Sequence, residues 1–268
     1  MTTHSPSSQK GATLIVVLLM LLLITIIGSM AIRVSTSSLK LATNSQVNQL
    51  LRQSADTPFQ LIRNLPANKL RVADNAIGAL IVGNDINREY LFCYSPTIDK
   101  NFALTTKTTI VSPFNNSGDL IAGDAVNVIS GGTRGFCDLK KDFGSKREAT
   151  VTQVAVSLSN DSSPDQERFQ HYAEGTEISG NTVVSNIVSV PIRLKVTTIA
   201  MLPAFSTTNI ETVQSNCFTT SNIRLANNVD YPTKKSISDC VRGYGIPAEV
   251  QTQEFILKTS LVEVTKPS

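Results

Sequence analysis

The sequence predicts an α+β protein: a long N-terminal helix followed by a β-rich head with an antiparallel sheet. Three observations carry that expectation. The chain is uncharged from Ala12 to Ile32, and the next charge is Arg33. Beyond Pro58 and Pro66 it turns to β-branched and alternating segments separated by Gly, Asn and Pro. All four cysteines, Cys93, Cys137, Cys217 and Cys240, follow the apolar stretch and so share one compartment.

At about 1.5 Å per residue, the 21 residues from Ala12 to Ile32 span roughly 31 Å as a helix, about one bilayer core. Between Leu14 and Ile27 every residue except Thr25 is Leu, Ile, Val or Met. At about −0.3 to −0.6 kcal/mol for most of these residues, insertion is favoured by several kcal/mol. An amphipathic soluble helix would place a polar residue every three or four positions, and none occurs before Thr25. No Pro or Gly lies between Arg33 and Arg52, and Val47, Leu50 and Leu51 share a helical face. Pro58 and Pro66 are expected to break the helix. The expected organisation is a leader over 1–11, a transmembrane and stalk helix over 12–56, and a head over 57–268. An insertion or long loop is expected at 160–181.

Three membrane readings compete. Ser29-Met30-Ala31 has the small-x-small form of a signal-peptide cleavage site, but the apolar run exceeds the usual 7–15 residues of such peptides. An uncleaved anchor is the second, and the flanking charges Lys10, Arg33 and Lys40 are too evenly placed to orient it. The third rests on Gln9-Lys10-Gly11 running directly into Ala12-Thr13-Leu14-Ile15-Val16. This junction resembles the site cut by prepilin peptidase in type IV prepilins. The resemblance implies cleavage between Gly11 and Ala12, N-methylation of Ala12, and retention of the apolar segment.

Pilins usually carry a glutamate at the fifth mature position, which here is Val16. A carboxylate in hydrocarbon costs up to about 3 kcal/mol. Its rationale in the family is to neutralise the terminal ammonium of the subunit above, in a low dielectric. A subunit with nothing above it gains nothing from the carboxylate. The string from Gly11 to Gly28 resembles the N-terminus of PilX-type minor pilins, which are similar to the K pseudopilin of type II secretion. Ala12 departs from the phenylalanine common at the first mature position.

That resemblance implies a minor pilin that helps prime type IV pilus assembly and sits at or near the tip, capping the filament and presenting an adhesin. Implied partners are other minor pilins and pilus subunits, the inner-membrane assembly platform, prepilin peptidase and a tip adhesin. The implied location is the inner membrane, single-pass with a periplasmic head, and then the extracellular pilus tip. Twitching motility and surface attachment would follow. The alternatives are a K-type pseudopilin, which usually carries a large helical insertion in its head, and a membrane-anchored or secreted binding domain or enzyme.

In the head, strands are expected at Glu89–Tyr94, Ala103–Val111, Ala125–Ile129, Ala149–Leu158, Val183–Met201 (interrupted by Pro191) and Gln253–Val264. Turns fall at Asn115–Gly118, Ser130–Gly132 and Gly243–Pro247. Four exported cysteines imply two disulfides and allow three connectivities, among which sequence does not choose. The working pairing is sequential, Cys93–Cys137 and Cys217–Cys240, which would staple each half separately.

Little else carries chemistry, and no catalytic residue, metal site or cofactor is expected. His4 would leave with the leader, so His171 stands alone and reads as a surface residue. No Gly-x-Ser-x-Gly, His-Glu-x-x-His or Walker loop occurs. Ser130–Gly135 is glycine-rich but reads as a hairpin turn. Asn160, Asp161, Asp165 and Glu167 gather oxygens without calcium-loop spacing. Lys140, Lys141, Lys146 and Arg147 cluster, yet the net charge is only +3 and no aromatic platform accompanies them, so a solvated loop is favoured over a nucleic-acid surface.

Overall fold

The computed structural model describes residues 10–66, 70, 72–83, 85, 87–95, 105–114, 126–144, 147–159, 178–179, 182–183, 187–188, 192–223, 236–257 and 262–263. Residues up to Leu50 form one unit and Leu51 onward a second. Helix α1 spans Lys10–Asn64. It runs through Pro58, where the sequence reading placed a break.

The second unit is built on a six-stranded antiparallel sheet. Its strands are β1 (Glu89–Tyr94), β2 (Thr109–Ser112), β3 (Asn127–Ser130), β4 (Val151–Leu158), β8 (Ile192–Met201) and β9 (Ala248–Leu257), in the order β3-β2-β1-β4-β8-β9. Two-residue strands complete the set: β5 (Ile178–Ser179) pairs with β6 (Thr182–Val183), and β7 (Ile187–Val188) with β10 (Val262–Glu263). Ala103 and Ala125 lie outside the described residues, and Thr105–Lys107 forms a 3-10 turn ahead of β2. The segment 160–177, with Asn160, Asp161, Asp165, Glu167 and His171, also lies outside them, as do Pro191, Lys146 and the 115–118 turn.

Alternation in β1 explains why the head has two cores. Tyr90, Phe92 and Tyr94 pack on one face, and Leu91 and Cys93 on the other. The first core is covered by α1 and by α2 (Ala76–Gly83), which contribute Phe59, Ile62, Ile77 and Leu80. The second is covered by the Phe136–Leu139 loop, α3 (Ile210–Cys217) and α4 (Ile237–Gly243). With both faces covered, the polar positions of β4 are buried too: Thr152, Gln153 and Ser157 are each at most 3 % exposed.

The buried stripe of α1 is Leu51, Ala55, Phe59 and Ile62, at helical spacing, and Phe59 and Ile62 enter the first core. Leu50, which shares a helical face with Val47 and Leu51 in sequence, is instead 40 % exposed. Around Pro58 the sheet supplies polar partners. Ser54 Oγ lies 3.0 Å from Thr150 Oγ1 and 2.9 Å from Thr152 Oγ1. Thr198 Oγ1 donates to the Ala55 carbonyl at 2.9 Å. A helical proline removes one backbone donor and crowds the carbonyls of the preceding turn. Packing on the sheet, with threonines at hand, carries the helix past it.

Candidate functional site: the N-terminal helix and the disulfide-bonded face

Within the first unit, α1 begins at Lys10, so the Gly11–Ala12 bond falls in its first turn. From Leu14 to Ile27 the large apolar side chains are all more than two-fifths exposed, with Val16 at 58 %. Their burial has to come from a membrane or from other chains. Two hydroxyls within the uncharged stretch satisfy themselves locally: Thr25 Oγ1 donates to the Leu22 carbonyl at 2.8 Å and Ser29 Oγ to that of Ile26 at 2.9 Å. Returning these protons to the helix backbone lowers the cost of placing them in hydrocarbon. The helix is long and apolar enough to cross a membrane.

The second feature is the disulfide-bonded face of the head. Cys93 on β1 is bonded to Cys137, and Cys217 at the end of α3 to Cys240 on α4. Helix α3 starts at Asn209, whose side chain accepts from Glu211 N, and α4 starts at a capping box formed by Ser236 and Asp239. All four sulfurs belong to the same core.

Two glutamines organise the loop that carries Cys137. Gln153 stands directly opposite Cys93 in the β1–β4 ladder and is 1 % exposed. Its Oε1 accepts from Cys137 N at 2.9 Å, and its Nε2 donates to the carbonyls of Phe92 at 2.9 Å and Gly135 at 2.8 Å. From the other side, Gln214 on α3 donates through Nε2 to the Cys137 carbonyl at 2.8 Å and accepts from Leu139 N at 2.9 Å. Both backbone polar groups of Cys137 therefore end on side-chain amides. Sequence reasoning missed both residues. A glutamine within an alternating strand reads as solvent-facing, and only the second core shows otherwise.

Ser130–Gly135 is not a two-strand hairpin, because β3 pairs with β2 and, among the described residues, no strand follows until β4. It is a run of tight turns closed by Arg134 N to the Gly131 carbonyl at 3.0 Å and Phe136 N to that of Thr133 at 3.1 Å. Gly135 lies so close to the sheet that a Cβ would sit 2.1 Å from the Leu91 carbonyl oxygen. The basic cluster is partly neutralised in place, Lys140 pairing with Glu211 and Lys141 with Asp138 at 3.7 Å. Among the described residues no group of three or more His, Cys, Asp or Glu could hold a metal.

Away from these features, Tyr90 donates its hydroxyl proton to Asp85 Oδ2 at 2.6 Å. Burial, reinforced by that acceptor and its negative charge, pushes the Tyr90 phenol well above its usual range, and the nearby Arg88 opposes the shift. Burial alone raises Tyr94.

Residues 10–60 match the PilX N-terminal family model. That match is consistent with a type IV pilin of the PilX type. No curated protein and no solved structure matches the chain. The match covers the PilX-type apolar helix and ends near Phe59, the first large side chain of α1 that is fully buried in the head.

Proposed function

We propose that this protein is a type IV pilus minor pilin that helps prime assembly and sits at or near the filament tip. The PilX N-terminal match over residues 10–60 carries the reading. Lys10-Gly11 is the prepilin peptidase site, the cut falls between Gly11 and Ala12, and Ala12 is methylated. The apolar helix stays in the inner membrane with the head in the periplasm, then packs among other pilin helices. Val16 replaces the carboxylate that a subunit with a neighbour above it would need. The head caps the assembly and offers its surface to an adhesin. In favour of the pilus over the K-type pseudopilin, the helices of the head beyond α1 run only seven or eight residues among those described.

Mass spectrometry of the membrane-purified protein tests the processing step. A methylated chain beginning at Ala12 is expected. A chain beginning at Ile32, or an intact Met1 terminus, overturns the reading. For the tip role, Val16→Glu should leave insertion intact but reduce pilus number, since the carboxylate would sit in hydrocarbon without an amine to meet. Normal piliation in that variant removes the tip argument.

A further inference from the structure

We propose that Gln153 and Gln214 form a clamp that selects Cys93 as the partner of Cys137 while the head oxidises. The problem the clamp solves is visible in the packing. All four cysteines belong to one core, so the thiols of both native pairs gather on the same side of the sheet. Chain entropy discriminates weakly among them. Cys93 and Cys137 are 44 residues apart, and Cys137 and Cys217 roughly 80. Loop closure scales as about the −3/2 power of length, so for the first bond that Cys137 forms entropy favours Cys93 over Cys217 by only about 2.5-fold.

Gln153 supplies the missing discrimination. Its single amide reaches the carbonyl before Cys93, the carbonyl of Gly135 and the N–H of Cys137. These bonds need no disulfide, so they hold the two thiol-bearing segments together in the reduced chain. Gln214 fixes the Cys137 carbonyl from α3, three residues before Cys217. It thereby sets the loop at a defined distance from the helix that carries the competing thiol. Bonds from a buried amide to backbone groups are costly to leave unmade, which gives the clamp its authority.

The covalent step is ordinary thiol–disulfide exchange with an oxidant that itself carries a disulfide. Cys93 first forms a mixed disulfide with one sulfur of the oxidant, whose other sulfur leaves as a thiol. The Cys137 thiolate, its proton lost to solvent, then attacks the Cys93 sulfur. The Cys93–Cys137 bond forms, the bond to the oxidant breaks, and the oxidant's second sulfur leaves as a thiolate that takes up a proton. Two electrons pass to the oxidant.

The test is refolding of the reduced full-length protein in detergent with oxidised and reduced glutathione, followed by non-reducing peptide mapping. Wild type should give Cys93–Cys137 and Cys217–Cys240 in more than about twenty-fold excess over other pairings. In Gln153→Leu, one-disulfide species trapped early should show the partition of Cys137 between Cys93 and Cys217 falling toward the entropic ratio of about 2.5 to 1. Gln153→Glu keeps the acceptor for Cys137 N but loses both donated bonds, and should fall between the two. Leu80→Ala, a cavity in the opposite core, is the control for general destabilisation. It should pair faithfully. Faithful pairing in Gln153→Leu, or equal scrambling in Leu80→Ala, overturns the proposal.

Discussion

Replacing Thr198 with valine tests how a helix survives its own proline. Thr198 is fully buried, and its hydroxyl is 2.9 Å from the Ala55 carbonyl, 143 residues away in sequence. Valine keeps the shape, so the substitution removes the hydrogen bond and adds no cavity. The lost donor and the uncompensated carbonyl cost about 1–3 kcal/mol together. For a unit of this size each kcal/mol moves the midpoint by about 2–4 °C. Taking about 2 kcal/mol, thermal unfolding followed by circular dichroism should shift down by about 4–8 °C. The same substitution should cost less in a Pro58→Ala background, because the proline ring crowds the Ser54 carbonyl and strains the turn in which Thr198 holds the next carbonyl, that of Ala55. The coupling between the two sites should reach at least 0.5 kcal/mol in a double-mutant cycle. A midpoint unchanged by Thr198→Val, or an identical shift in both backgrounds, would refute the idea that the sheet compensates for the proline.

Two further outcomes follow from the head. Gly135→Ala should be severely destabilising, by more than about 3 kcal/mol in chemical denaturation, because the new methyl would collide with the Leu91 backbone oxygen and expel the Cys137 loop from the sheet. Alkaline stability is the second. Tyr90 holds its proton to higher pH in the folded chain than in the unfolded one, so its contribution is complete below about pH 10 and is lost as pH rises above that. Tyr90→Phe should flatten the loss of stability between about pH 10 and 11.5, read by denaturant midpoints. An unchanged slope would show that Tyr90 is not the group responsible.

How much of this was legible beforehand depended on range. Leu14 to Ile27 declares itself without reference to any other segment, because hydrocarbon burial needs only an unbroken apolar run. β1 and β4 were legible for a similar reason, since β-branched and aromatic alternation is a local property. Pro58 was misread because the reading assumed local rules, and the compensation comes from β4, β8 and the residue just before β4. Gln153 and Gln214 were invisible because a glutamine in an alternating strand, or on a short helix, carries no mark of which face will be covered.

The sequence alone determined that the chain has one membrane-competent helix, that Lys10-Gly11 abuts it, that Val16 stands in its first turns without a carboxylate, and that a β-rich head with four cysteines follows. These are matters of composition and neighbouring residues. Only the tertiary structure decided that α1 passes Pro58, that the sheet is covered on both faces, and that Cys137 is held by two side-chain amides, that of Gln153 fully buried. Each of those depends on groups 16 or more residues apart in sequence. Burial makes their hydrogen bonds obligatory, and sequence does not show which polar side chains will end up dry.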